Sequence, residues 1–218
     1  YYQRYYLNMD RYAFDRWLLS LIPPQAEILS GRCTAVTRTG EGFLLTAAVD
    51  GEERQFTAHR VVGAEGAVSL VRRTFYREPK TRYTAIQQWF AAGEERAPFY
   101  SCIFDSATSE SCSWIIRKDD ALIFGGCFTA EGSREAFECQ KQRLEQYLGR
   151  PLGQPVKTEA CLAVRPRGFA DFITGRDGAY LIGEAAGFIS ASSFEGISSA
   201  IRSGSALAEA MCRASDDD

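Results

Sequence analysis

Two short segments of this 218-residue chain combine glycines with a single carboxylate in a spacing that could handle a ligand. The first runs Val61-Val62-Gly63-Ala64-Glu65-Gly66-Ala67-Val68-Ser69-Leu70-Val71-Arg72-Arg73. The second runs Gly178-Ala179-Tyr180-Leu181-Ile182-Gly183-Glu184-Ala185-Ala186-Gly187, more than a hundred residues later. Each reads as a short apolar strand, a turn of small residues and then a helical pattern. Gly63 lets the backbone turn tightly, and Gly66 can take positive φ beside Glu65. In the second segment Ala185, Ala186 and Gly187 are small enough for a ligand to approach the backbone. Glu184 is suited to accepting hydrogen bonds from sugar-like hydroxyls, and N–H groups at a following helix start favour a phosphate or another anion. The plain alternative is a pair of strand–turn–helix connections with solvated carboxylates.

The remaining composition excludes several chemistries. Hydrophobic residues at 45% and charged residues at 24% are ordinary for a globular chain, which fits one domain or two small ones. A net charge of -3 gives no reason to expect nucleic acid or an anionic membrane surface as partner. Seven cysteines form no Cys-x-x-Cys pair and read as reduced, cytoplasmic thiols. The single histidine, His59, has no metal-ligand spacing to them, which argues against a His-based zinc site or a Ser-His-Asp triad; no metal is expected. There is no signal peptide or twenty-residue apolar span. A start at Tyr1 and an end at Asp216-Asp217-Asp218 read as an excised piece of a longer protein.

Around the two turns the pattern predicts a helix over 11–22, capped by Asp10 and stopped by Pro23-Pro24. Strands follow over 27–39, 43–49 and 54–58 as an antiparallel meander, and a short one over 60–64 leads into the first turn. The middle is strand-rich over 83–91, 99–104, 113–117 and 121–128, with Asp119-Asp120 as a tight turn. A helix over 133–148, capped by Ser133 and closed by Gly149, a strand over 156–164 and a last helix from about 195 to 213 complete the order. Strands and helices mix without strict βαβ alternation, so an α+β substrate domain inserted in a partial α/β domain is expected.

With these residues in place, the chain resembles FAD-dependent oxidoreductases built like the aromatic-ring hydroxylases, and the geranylgeranyl reductases among them. Their first site reads Gly-Ala-Asp-Gly, two residues, Ser, one residue, Val-Arg; here Gly63, Ala64, Gly66, Ser69, Val71 and Arg72 match, with Glu65 for Asp. Their Gly-Asp-Ala-Ala-Gly matches Gly183, Ala185, Ala186 and Gly187, with Glu184 in the place of the acid that binds the ribityl chain. Ser192-Ser193-Phe194-Glu195-Gly196-Ile197 is similar to their Pro-x-x-Gly-Glu-Gly-Ile loop, whose N–H groups face the pyrimidine side of the flavin; Ala191 and Phe194 replace Pro and Gly. The helix containing Arg11, Phe14, Asp15 and Leu18 resembles an Arg-x-x-Phe-Asp-x-x-Leu helix whose Arg approaches the FAD phosphates. The Trp114 strand resembles the reductases' substrate-facing Tyr-x-Trp-x-Phe-Pro-Lys, broken at Cys112, Ile116 and Arg117.

The resemblance implies an α+β / α/β chain: part of a FAD-binding three-layer domain (1–80 and 166–218) with an inserted, mainly antiparallel substrate sheet (81–165). The implied cofactor-binding residues are Arg11, Gly63, Glu65, Gly66, Gly183, Glu184, Ala185, Ala186, Gly187, Glu195, Gly196 and Ile197, and Trp114 faces substrate; no catalytic residue stands out. FAD is the expected cofactor and NAD(P)H an external electron donor. The Gly-x-Gly-x-x-Gly turn that holds the ADP half is missing. The leading expectation is reduction of C=C bonds in an isoprenoid-like substrate, in a cavity walled by Trp89, Phe90, Phe99, Tyr100, Phe104, Trp114, Phe124 and Phe128. Peripheral membrane contact stays open, as does the oligomeric state. The alternatives are an aromatic-ring monooxygenase, which would place a buried Tyr or Arg near the flavin, and a non-catalytic module that binds a hydrophobic ligand or partner.

Overall fold

The computed structural model describes residues 7–78, 81–93 and 100–216. Helix α1 (Arg11–Ser20) opens with Asp10, whose carboxylate accepts from the Ala13 N–H at 2.9 Å. It ends two residues earlier than the apolar spacing suggests, because Leu21 and Ile22 close with short i−3 bonds before the prolines. A meander of β1 (Gly31–Arg38), β2 (Phe43–Val49) and β3 (Glu52–Ala58) follows, with a bulge at Cys33/Ala35. Strand β1 begins at Gly31, four residues later than expected.

The chain then enters β4 (Val61–Gly63), a 3-10 turn (Gly66–Val68) and the short helix α2 (Leu70–Phe75). Five antiparallel strands come next: β5 (Arg82–Ala91), β6 (Tyr100–Phe104), β7 (Cys112–Lys118), β8 (Ala121–Thr129) and, after helix α3 (Ser133–Leu148), β9 (Lys157–Val164). They form one sheet in the order β6-β7-β8-β5-β9. The return consists of β10 (Gly175–Arg176), β11 (Ala179–Leu181), a 3-10 turn (Gly183–Ala186) and α4 (Ile197–Asp216). Gly149 closes α3 in the left-handed conformation as expected, but the N-cap is Gly132, not Ser133, and no side chain caps that end.

Two buried clusters hold the molecule together. One joins the meander to the glycine segments through Val36, Phe43, Val61, Val71, Ala179, Leu181, Ala185 and Ala186. The other packs α3 onto the five-stranded sheet through Phe90, Phe124, Phe128, Phe137 and Leu144. Strand alternation makes this second cluster decisive for the site. Phe90, Phe124 and Phe128, expected as cavity walls, face α3 instead; Phe124 and Phe128 hold the Phe137 ring at 5.3 and 5.9 Å. Phe99 lies outside the described residues.

Candidate functional site

Strand β11 pairs in parallel with β4, Leu181 opposite Gly63, so both glycine turns leave the same end of one sheet, side by side. Ligands of α/β sheets bind outside the carboxyl ends of such strands. Gly63 is required by close approach: a Cβ there would lie 2.8 Å from Val71, Leu181 and the Glu65 carboxylate.

The two carboxylates differ. Ser69 Oγ donates to Glu65 Oε2 at 2.7 Å, and the Leu70 and Val71 N–H groups donate to Oε1 at 3.2 and 3.4 Å. Glu65 thus occupies the N-terminus of α2, with Ser69 Oγ accepting from the Arg72 N–H at 3.2 Å. Glu65, expected to support the dinucleotide, thus has both oxygens engaged at this helix start. Glu184 is half-buried. Its Oε1 accepts from the Val164 N–H at 2.8 Å, while Oε2 lies toward Gly66, where an added Cβ would come within 3.4 Å. Burial raises the Glu184 pKa above its ordinary value, partly offset by the Val164 N–H.

Other expected residues divide similarly. Gly66, Gly183 and Gly187 take φ of +69°, +57° and +96°. Ala185 and Ala186 are buried in the core, forming the floor under the turn. The Gly183 N–H donates to Ser203 Oγ of α4 at 2.9 Å, which brings the first half of α4 against the turn. Glu195 lies near Cys112, and its backbone oxygen accepts from the Ser190 N–H at 3.0 Å. Gly196 has only ordinary contacts for an added Cβ, and Ile197 begins α4 exposed, two residues after the expected start. The structure does not bring Arg11 to the turns; its guanidinium pairs with Asp15 at 3.2 Å on its own helix.

Arg72, present in the first motif, has a larger part than sequence reasoning assigned. It is 4% exposed and donates to Ala185 O and Asp171 O at 2.7 Å each and to Arg77 O at 3.2 Å. It clamps α2 to the second turn, and burial lowers its pKa. Only its place in the Val-Arg pair hinted at this.

On the sheet, the face opposite α3 carries Tyr83, Ala85, Gln87 and Trp89 of β5 and their neighbours in register. Trp114, Gly125, Gln87 and Glu159 form one cross-strand row over four strands. The Trp114 ring lies over Gly125, where a Cβ would meet it at 2.7 Å. Its Nε1 points at Gln87 Oε1, 3.4 Å away. Gln87 Nε2 and Trp89 Nε1 donate to Glu159 Oε2 at 2.7 and 2.8 Å, and Lys157 pairs with Oε1 at 2.6 Å. These partners, Lys157 foremost, hold the Glu159 pKa down at about 2. Ala85 is flanked by Cys127 and Cys161. Burial pushes the Cys127 thiol up to about 12 and Cys112 to about 11, so both stay neutral.

The loop after the second turn touches this face at one end. The Cys112 N–H donates to Ser192 O at 3.1 Å, and the Phe194 ring meets Tyr83 edge-on at 5.0 Å. Tyr83 is 1% exposed; its hydroxyl donates to Glu110 at 2.8 Å and accepts from Arg167 at 3.1 Å, with Arg165 over its ring. Phe194 sits at φ +55°, a left-handed position that costs a side chain of this kind about 1–2 kcal/mol. The related pattern has glycine there, so Phe194 keeps the glycine backbone and adds a ring. Among the described residues no His/Cys/Asp/Glu group could hold a metal, and no helix is long and apolar enough to cross a membrane.

No family model matches the chain. It is 44% identical over 214 residues to Protein CbrA of Shigella dysenteriae serotype 1 and 43% identical to Protein CbrA of Escherichia coli O157:H7. In both cases 97% of this chain and 60% of the relative are covered, so the chain spans about 60% of the length of these relatives. Among solved structures it resembles a geranylgeranyl bacteriochlorophyll reductase-like protein from Thermoplasma acidophilum, with TM-score 0.68 and 14% identity over 86% of this chain and 49% of that one. CmlS, a flavin-dependent halogenase, gives 0.55 and 21% identity over 83% and 36% of the two chains. PqsL, a probable FAD-dependent monooxygenase from Pseudomonas aeruginosa, gives 0.54 and 22% over 86% and 54%. The chain therefore shares with these flavoproteins a mixed α/β fold containing antiparallel sheets.

Proposed function

We propose that the chain is the FAD-binding and substrate-contacting portion of a flavin-dependent oxidoreductase. The observation that supports this most is the pairing of β4 with β11, which sets two glycine turns beside each other at the carboxyl ends of parallel strands. The residues fit the group: Gly66 adds no side chain over Glu184 Oε2, and Glu184 would accept from ribityl hydroxyls. Gly183, Gly187 and the first turn of α4 would hold the backbone around it, with Ala185 and Ala186 beneath. When bound, the flavin supplies hydride or electron transfer. The chain's own residues would orient it, with Trp114 of the sheet as a wall beside it.

The substrate in this reading is hydrophobic, with reduction of an isoprenoid-like C=C bond as the leading reaction and NAD(P)H as external donor. Trp114, locked over Gly125, would contact the substrate. A second reading, an aromatic-ring monooxygenase, is favoured by one observation: buried Tyr83, held by Arg167, lies against the loop that would adjoin the flavin. Titration of the purified chain with FAD, followed by visible absorbance and flavin fluorescence, tests the common part. A saturable change in the wild type that weakens in Glu184→Ala supports it. No binding by the chain, nor by the chain extended to the length of its relatives, overturns it and leaves the non-catalytic module. With FAD held, product analysis under anaerobic and aerobic conditions separates reductase from monooxygenase.

A further inference from the structure

We propose that Phe194 is a positioning residue for the candidate cofactor site: its ring, seated on Tyr83, ties the loop over 188–196 to the antiparallel sheet and so fixes how the start of α4 stands against the second glycine turn. The proposal rests on the flavoprotein reading in one respect, that this turn and the start of α4 border the flavin.

The loop joins two parts of that site, since it leaves Gly187 and delivers the chain to Ile197, where α4 begins. Its own contacts are polar. The Ser190 N–H donates to Glu195 O and the Phe194 N–H to Ser190 O, both at 3.0 Å, and the Ser193 N–H donates to Ser190 Oγ at 3.2 Å. These bonds close the loop on itself. It reaches the sheet through the hydrogen bond from the Cys112 N–H to Ser192 O at 3.1 Å and through the Phe194 ring, edge-on to Tyr83 at 5.0 Å. A single hydrogen bond leaves a loop free to pivot, and the ring adds a second point that sets its orientation. Gly196, between loop and helix, has no side chain of its own to resist that pivot.

Phe194 does this at a backbone position that suits glycine. At φ +55° its side chain is strained, and strain of this kind persists only where surrounding contacts over-determine it. Glycine would remove the strain and the contact together, so the contact, not the turn, accounts for the phenylalanine. The seat is rigid. Tyr83 is buried; its hydroxyl donates to Glu110 at 2.8 Å and accepts from Arg167 at 3.1 Å, and the Arg165 guanidinium lies 5.1 Å over its ring. Arg165 and Arg167 both donate to the same Glu110 oxygen, at 2.9 and 3.2 Å, which closes the network around the phenol. An edge-to-face pair with one ring already fixed orders the other at little further cost in side-chain freedom.

The test is native-state amide hydrogen exchange with an FAD titration alongside, on the full chain and on the chain extended to the length of its relatives. Phe194→Asn removes the ring but keeps a side chain that tolerates the left-handed backbone, and Phe194→Tyr keeps the ring. In Phe194→Asn the Cys112 and Ser190 amides should exchange about tenfold faster or more, and FAD should bind about tenfold more weakly. Cys112 lies on β7, so its amide reports release of the loop from the sheet and not the change of residue at 194. Phe194→Tyr should stay within about twofold of the wild type in both readings. Phe194→Gly relieves the backbone and loses the ring; it should follow Phe194→Asn, and far-ultraviolet circular dichroism checks that both keep the fold. Unchanged Cys112 exchange in the Asn and Gly variants would overturn the tie. Faster exchange with unchanged FAD affinity would overturn the positioning role. Faster exchange in a chain that binds no FAD even when extended would keep the tie and count against the flavoprotein reading alone.

Discussion

The two glycine turns look alike in sequence and do different things. Both place a glutamate after a parallel strand, and the strands are neighbours. Glu65 has both oxygens engaged by the start of α2, whereas Glu184 is half-buried with one oxygen held by Val164 and the other directed toward Gly66. The first turn is therefore a structural joint and the second a candidate ligand site. A shared motif places a carboxylate; which N–H groups surround it decides its job.

The largest expected effect comes from cutting the link between the turns. Arg72→Ala leaves the Ala185, Asp171 and Arg77 carbonyls without their donor and a space where the buried guanidinium lay. It should destabilise the chain by about 3 kcal/mol or more, read as a lower urea midpoint. If stability changed by under about 1 kcal/mol, the two turns would be independent units.

Next is Glu184→Gln, which should weaken FAD about tenfold through the lost charge-assisted hydrogen bonds, in a fluorescence titration, while leaving the fold intact. Glu65→Ala should do the opposite. A lost cap costs about 1 kcal/mol of stability, and FAD affinity should stay within about twofold. Equal loss of FAD in both variants would erase the contrast between the turns.

The smallest effects are in pH dependence, where Glu184 and Glu159 have opposite signs. The folded pKa of Glu184 is raised, so the folded state holds its proton more tightly. Its contribution is present below the ordinary glutamate value and is lost as pH rises through the raised one. Glu184→Gln should therefore gain stability relative to wild type as pH increases from about 4 to 8. The folded pKa of Glu159 is depressed to about 2, so its contribution is present above the ordinary value and fades as pH falls toward 2. Glu159→Gln should thus lose most at neutral pH and converge on wild type in acid, in paired urea melts.

Local signals in the sequence were enough for most of the elements. Asp10 announced α1, Gly149 the end of α3, and Asp119-Asp120 the turn between β7 and β8. They did not show which face of the sheet met a helix. Trp89 and Phe90 are adjacent and both aromatic, and only the packing of Phe137 and Leu144 puts Phe90 in the core and leaves Trp89 on the open face.

What the sequence determined by itself is the pair of turns: glycine at positions of close approach or positive φ, and one acid in each, follow from backbone sterics that act over a few residues. Four things needed the tertiary structure: the adjacency of β4 and β11, the Arg72 clamp, the row from Trp114 to Glu159, and the seat of Phe194 on Tyr83. Each joins groups far apart in the chain, and a contact of that kind is set by which surfaces bury one another, which no local spacing records.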